Sequence, residues 1–132
     1  MATSKRASYL ALIRLQKLAK ARSELTIAGL NAQLVAIGDE SEALFKMQDD
    51  RFKPGADLVP PDLIIRRLET NRMRAIHLTD QMAVQRKNLL KISRTLDVLN
   101  DRLRSHESEQ QRHHATVEID EYISQLLGKA AN

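Results

Sequence analysis

Residues 68–103 read LETNRMRAIHLTDQMAVQRKNLLKISRTLDVLNDRL. Within them apolar side chains return every seven residues at Leu68, Ala75, Met82, Leu89, Leu96 and Leu103, with Leu78, Ile92 and Leu99 between. Alternating steps of three and four put these side chains on one narrow face of an α-helix, the seam of a left-handed coiled coil. A seam of this kind needs a partner, and where it stops marks where the partner stops. After Leu103 the chain runs from Arg104 to Thr116 with Ala115 as its one apolar residue and neither Gly nor Pro. A new apolar cluster then fills Val117 to Leu127. Helix-forming sequence continues past the end of the seam.

The 132 residues suit one domain, but aromatic content is 3%, Trp is absent, and there are only four Gly and three Pro. A thick layered core is not expected; abundant Ala, Leu, Lys, Arg, Glu and Gln point to long helices meeting along a seam, in the form of a rod. Without Cys there is no disulfide, thiolate nucleophile or Cys-ligated metal, which is compatible with a cytoplasmic location. The longest apolar runs, such as Leu34 to Ile37, fall far short of a membrane span.

The net charge of +4 is unevenly placed. Lys5, Arg6, Arg14, Lys17, Lys20 and Arg22 precede the first acid, Glu24, whereas Asp39, Glu40, Glu42, Asp49 and Asp50 follow with Lys46 among them. An acid-free, Arg-containing amphipathic start also fits a mitochondrial transit peptide, yet it reads straight on into helical sequence without a cleavage-like break.

Two helices are expected. The first spans about 4–50, with Ser4 or Ser8 as N-cap and a seam of Leu15, Leu18, Leu25, Ala28, Ala32 and Val35 flanked by Ile27, Leu30, Leu34 and Ile37. Gly29 and Gly38 weaken it, and Asp39-x-x-Glu42 offers a capping box at which it could restart. The turn signal lies in 51–60, and Pro61 with Asp62 opens a second helix of about 61–127, with Gly128 as its stop. The expected fold is therefore all-α: a single antiparallel two-helix coiled-coil hairpin whose second helix is the longer. If Asp50 and Pro61 face each other, opposed residue numbers add to about 111, which sets Leu96 near Leu15, Leu99 near Leu12 and Leu103 near Ser8. Helix one is then exhausted where the stripe ends, and some twenty residues of helix two, roughly 30 Å, project beyond it.

No phosphate-binding glycine loop, nucleophile elbow or metalloprotease helix motif is present, so no enzymatic activity, cofactor or small-molecule substrate is expected. His106 and His113 share a helix face, but roughly 10 Å apart, too far for one ion unaided. Basic residues recur from Arg66 to Arg104 and could track phosphates. Interspersed acids and the lack of an aromatic stacking platform favour a solvated coiled-coil flank over a nucleic-acid-binding arm. At the open end of the hairpin Lys5 and Arg6 add to this positive charge and would attract an acidic protein surface. Ile119, Tyr122, Ile123, Leu126 and Leu127 form a compact apolar face that helix one cannot cover. It suits a heterologous partner or a second copy. A lesser patch, Phe45, Phe52, Leu58, Val59 and Leu63, lies at the loop end, where closing the turn accounts for part of it.

The opening Tyr9-Leu10-Ala11-Leu12-Ile13-Arg14-Leu15-Gln16-Lys17-Leu18, the central loop between two long helices, and the final Glu107 to Leu127 with Glu118-Ile119-Asp120-Glu121-Tyr122 together resemble the FliJ family of flagellar export proteins and its YscO-type injectisome counterparts. The likeness spans most of the chain; the two glycines in helix one and the low aromatic content depart from it. The resemblance implies a cytoplasmic stalk, peripherally associated with a membrane export apparatus and similar to the γ subunit of rotary ATPases. The hairpin's terminal end would enter a hexameric export ATPase, through Lys5, Arg6, Tyr9, Ile119, Tyr122, Ile123, Leu126 and Leu127. Its loop-proximal part, through Leu44, Phe45, Phe52, Leu68 and Ala75, would contact a membrane-embedded export gate, with export chaperones as further candidate partners. A nucleic-acid-binding arm and a self-assembling structural hairpin, paired through the C-terminal helix, stand as alternatives.

Overall fold

A computed structural model describes residues 4–53 and 59–131. Two helices account for nearly all of them, α1 (Lys5–Asp50) and the longer α2 (Pro61–Ala131), packed as an antiparallel hairpin. The expected turn lies partly outside the described residues, since 54–58 are among those not described and Leu58 with them.

Local chemistry sets the helix ends. The Ser4 hydroxyl accepts from the Ala7 amide at 3.1 Å, and the Ser4 carbonyl accepts from the Ser8 amide, so Ser4 rather than Ser8 is the N-cap. At the other end the Lys53 amide donates to the Asp50 carbonyl at 2.9 Å, while the Lys53 ammonium reaches the Asp50 carboxylate at 2.9 Å. The Pro60 carbonyl accepts from Leu63 and Ile64, and Pro61 and Asp62 begin α2 as expected. Gly29 and Gly38 lie inside a continuous α1, with open space where a Cβ would stand, so the restart at Asp39 is not used. Nor does Gly128 end α2. With no positive φ demanded there, the helix runs on to Ala131.

The chain divides into two compact units, one within Met1–Ala19 and Ile92–Asn132, the other Lys20–Lys91. In the first, Ile13, Leu96 and Leu99 form a buried cluster, 5–8% exposed, against which Tyr9, Ile92 and Leu103 pack. In the second, Ile37, Ile64, Leu78 and Met82 are buried. Each such side chain contributes about 1.5–3 kcal/mol on leaving water, which is the main force closing the hairpin.

The stripe in α2 is borne out. Ile64, Leu68, Asn71, Ala75, Leu78, Met82, Gln85 and Leu89 in one unit, and Ile92, Leu96, Leu99, Leu103 and His106 in the other, are each buried or half-buried. The seam expected in α1 is not. Leu15, Leu18, Leu25 and Val35 are 62%, 51%, 74% and 54% exposed, and Ala28 and Ala32 are exposed too. The side of α1 that faces α2 carries instead Tyr9, Ile13 and Gln16 in the first unit and Lys20, Ser23, Ile27, Leu30, Leu34, Ile37, Ser41 and Leu44 in the second. This ladder keeps the same alternating steps but admits polar rungs, two of which hydrogen-bond to α2. Asn71, 3% exposed, donates its amide to the Ser41 hydroxyl at 3.2 Å, and the buried Ser23 hydroxyl donates to the Gln85 carbonyl at 3.5 Å. The overall register agrees with expectation while the opposed residues shift. Leu96 and Leu99 cluster with Ile13, which lies between Leu12 and Leu15 in sequence, and Tyr9 and Leu103 pack against that cluster.

Candidate partner-binding surface

The last rungs joining α1 to α2 are a Tyr9–His106 ring contact, with centroids 6.2 Å apart and planes tilted by 56°, and an Arg6–Glu107 ion pair at 3.2 Å. His106 is therefore a half-buried closing rung of the seam rather than an exposed helical histidine. His113 and His114 are exposed, and no cluster of three metal-ligating side chains exists among the described residues. Beyond Glu107, every residue from Ser108 to Ala131 is exposed. This segment stays helical in a sequence that includes three Glu, three Gln and three Ala, and it reaches about 36 Å past α1.

Of the residues expected at this end, Ile119, Tyr122, Ile123, Leu126 and Leu127 are 58%, 62%, 47%, 49% and 66% exposed, so the uncovered apolar face is borne out. Arg6 and Tyr9 serve the closing rungs instead, leaving Lys5 exposed beside them. Lys5 and Tyr9 line a shallow polar cleft with Asp101, Arg102, Ser105, His106 and Glu109.

Helical geometry adds a feature that apolar spacing alone did not supply. At about 100° per residue, the mean direction of Ile119, Tyr122, Ile123 and Leu126 lies roughly 170° from that of Leu99, Leu103 and His106. The apolar face of the projecting segment therefore looks away from the side on which α1 lies. Continuing the seam's own heptad gives Gln110, His113, Val117, Asp120, Ser124 and Leu127, four of the six polar. A longer α1 would not cover the apolar face; a partner must come from the far side.

In the other unit, Phe45 is 56% exposed and shares a groove with Leu68 and Ala75, completed by Ile65, Glu69 and Arg72 on α2 and Leu34, Gly38 and Ser41 on α1. Of the residues expected at the loop end, the fold brings these three together. Leu44 is half-buried in the seam, and Phe52, 81% exposed, stands apart under the Arg51 guanidinium, 4.5 Å from its ring centroid. Ile65 was not singled out from sequence, because it does not fall on the seam heptad that drew the reading, and Arg72 was read only as one of the recurring basic residues.

In the same unit α1 and α2 are joined by a forked ion pair, Arg67 donating to both carboxylate oxygens of Glu40. That hydrogen bond holds the Glu40 carboxyl below its ordinary value, more than desolvation raises it. A depressed folded-state pKa means that the pair's stabilisation is present above the unfolded-state pKa and is lost as pH falls through the folded one. NMR titration is expected to place the Glu40 midpoint below the ordinary glutamate value. Arg67→Gln should return it to the ordinary range; an unchanged midpoint would deny the pairing.

No protein-family model, curated protein or solved structure matches the chain.

Proposed function

We propose that this chain is a non-enzymatic stalk of a flagellar-type (type III) protein export apparatus, inserting its terminal end into a hexameric export ATPase and linking it to the export gate. The observation that carries this reading is the helical segment 108–131, which continues α2 past the last contact with α1 and exposes Ile119, Tyr122, Ile123 and Leu126 on its far side. A single helix bearing an outward apolar stripe is narrow, about 10–12 Å across, and can pass where a hairpin would not. Inside a ring, its far-side stripe would meet the ring wall without disturbing the seam. The groove of Phe45, Leu68 and Ala75 supplies the second attachment, toward the gate. Among the described residues no helix is long and apolar enough to cross a membrane, so attachment to an export apparatus would be through protein contacts.

The test is affinity for a hexameric flagellar-type export ATPase, measured by fluorescence titration. Ile123→Asp with Leu126→Asp is expected to weaken binding by about a hundredfold or more, since two buried apolar anchors are replaced by charges. Neither residue touches α1, so far-UV circular dichroism should keep its helical amplitude. Undiminished binding by the double variant would contradict the proposal.

A further inference from the structure

The apolar face of residues 115–130 is self-complementary. Laid antiparallel beside itself about a point between Tyr122 and Ile123, the segment matches Ile119 with Leu126, Tyr122 with Ile123, and Ala115 with Ala130. These residues recur at steps of three and four, as an antiparallel helix pair requires. On one flank of the stripe the same operation sets Glu118 opposite Leu127, with Lys129 of the second copy two residues, about 3 Å of rise, farther along; because helical side chains lean toward their own N-terminus, the two charges come within reach, and two-fold symmetry repeats the pair. All of these side chains are exposed, and the stripe looks away from α1. Two chains can therefore approach through it without either α1 standing between them.

We infer that a second copy of this chain is the occupant of this face in the free protein: two projecting helices pair antiparallel through Ile119, Tyr122, Ile123 and Leu126, with Glu118 and Lys129 fixing the register. This goes beyond the stalk reading and does not rest on it. The overlap is short, about 24 Å of helix, and belongs among the small interfaces that form transient complexes. A dimer of this size holds with a dissociation constant on the order of 10–100 µM, weak enough for a tighter partner of the same face to displace it.

Sedimentation equilibrium of the full chain tests this without any partner present. The apparent mass is expected to rise from 15.0 kDa toward twice that value as concentration passes through this range. Ile123→Asp should hold it at the monomer, weakening association by about a hundredfold. Glu118→Lys should weaken the dimer through like-charge contact with Lys129, and adding Lys129→Glu should restore it. Because the chain has no Cys, single introduced thiols report the face directly: under mild oxidation Ile123→Cys should cross-link to dimer and Ser124→Cys, on the α1 side of the helix, should not. A mass fixed at 15.0 kDa throughout, a dimer indifferent to Ile123→Asp, or equal cross-linking at 123 and 124 would overturn the inference.

Discussion

Leu96→Ala is expected to lower the stability of the hairpin by about 2–3 kcal/mol, and Leu96→Asp to part α1 from α2 around Ile13 altogether. Leu96 is 7% exposed and belongs to a three-residue cluster with Ile13 and Leu99, with no second layer of core behind it. The alanine figure is placed low in the range for buried leucines because a seam one layer deep can close partly over the gap. An aspartate there has no cation in the cluster to pair with and must hydrate, which separates the helices. Urea unfolding followed by circular dichroism measures both changes. Leu15→Asp is the informative control. With Leu15 62% exposed, it should move stability by no more than about 0.5 kcal/mol. Equal losses from Leu15→Asp and Leu96→Asp would return the seam to the Leu15, Leu18, Leu25 and Val35 row of α1.

Replacing Asn71 and Ser41 together by leucine should raise the unfolding midpoint while loosening the pairing. Asn71 is 3% exposed and its amide is satisfied by the Ser41 hydroxyl, so the rung is a polar contact in an otherwise apolar run. Exchanging both partners for apolar groups removes the desolvation cost without leaving an orphan, for a gain of about 1 kcal/mol. The rung's other effect is on specificity: slipping α1 by one heptad would bury the Asn71 amide without its mate, and that penalty disappears with two leucines. Pairs of spin labels at introduced cysteines on exposed positions of residues 20–91 should give one distance in the native chain. A second population, displaced along the helices by about 10 Å, should appear in the double variant. A raised midpoint with one unchanged distance would show that register is held elsewhere.

The seam of α2 was legible because its apolar residues coincide with the buried rungs from Leu68 to Leu103. The seam of α1 was not, and the reason is physical. Hydrophobicity ranks candidate faces, but burial is settled by the ladder that the partner presents. Here α2 presents the Asn71 side chain and the main-chain carbonyl of Gln85, and α1 answers with Ser41 and Ser23, leaving Leu15, Leu18, Leu25 and Val35 in solvent. Asn71 was recognisable as a seam break, and asking which α1 residue could bond to its amide would have pointed to Ser41; the Ser23 bond goes to the main chain and leaves no such signal in the sequence. Gly128 was misjudged for a related reason: an exposed helical segment tolerates glycine where neither a positive φ nor a turn is required. The exposed patch from Ile119 to Leu127 was readable as apolar spacing. That it faces away from α1 emerged only once His106 and Leu103 fixed the direction of the seam.

The central claim is that the outward face of the projecting helix, rather than the hairpin body or the loop end, meets the ATPase ring. A photo-crosslinking side chain placed singly at Ile123, Ser124, Leu25 and Phe52, irradiated with the assembled ATPase and mapped by mass spectrometry, tests it directly. Position 123 is expected to cross-link to residues lining the central hole, position 124 far less, and positions 25 and 52 not at all. Strong cross-links from 25 or 52 with none from 123 would contradict it.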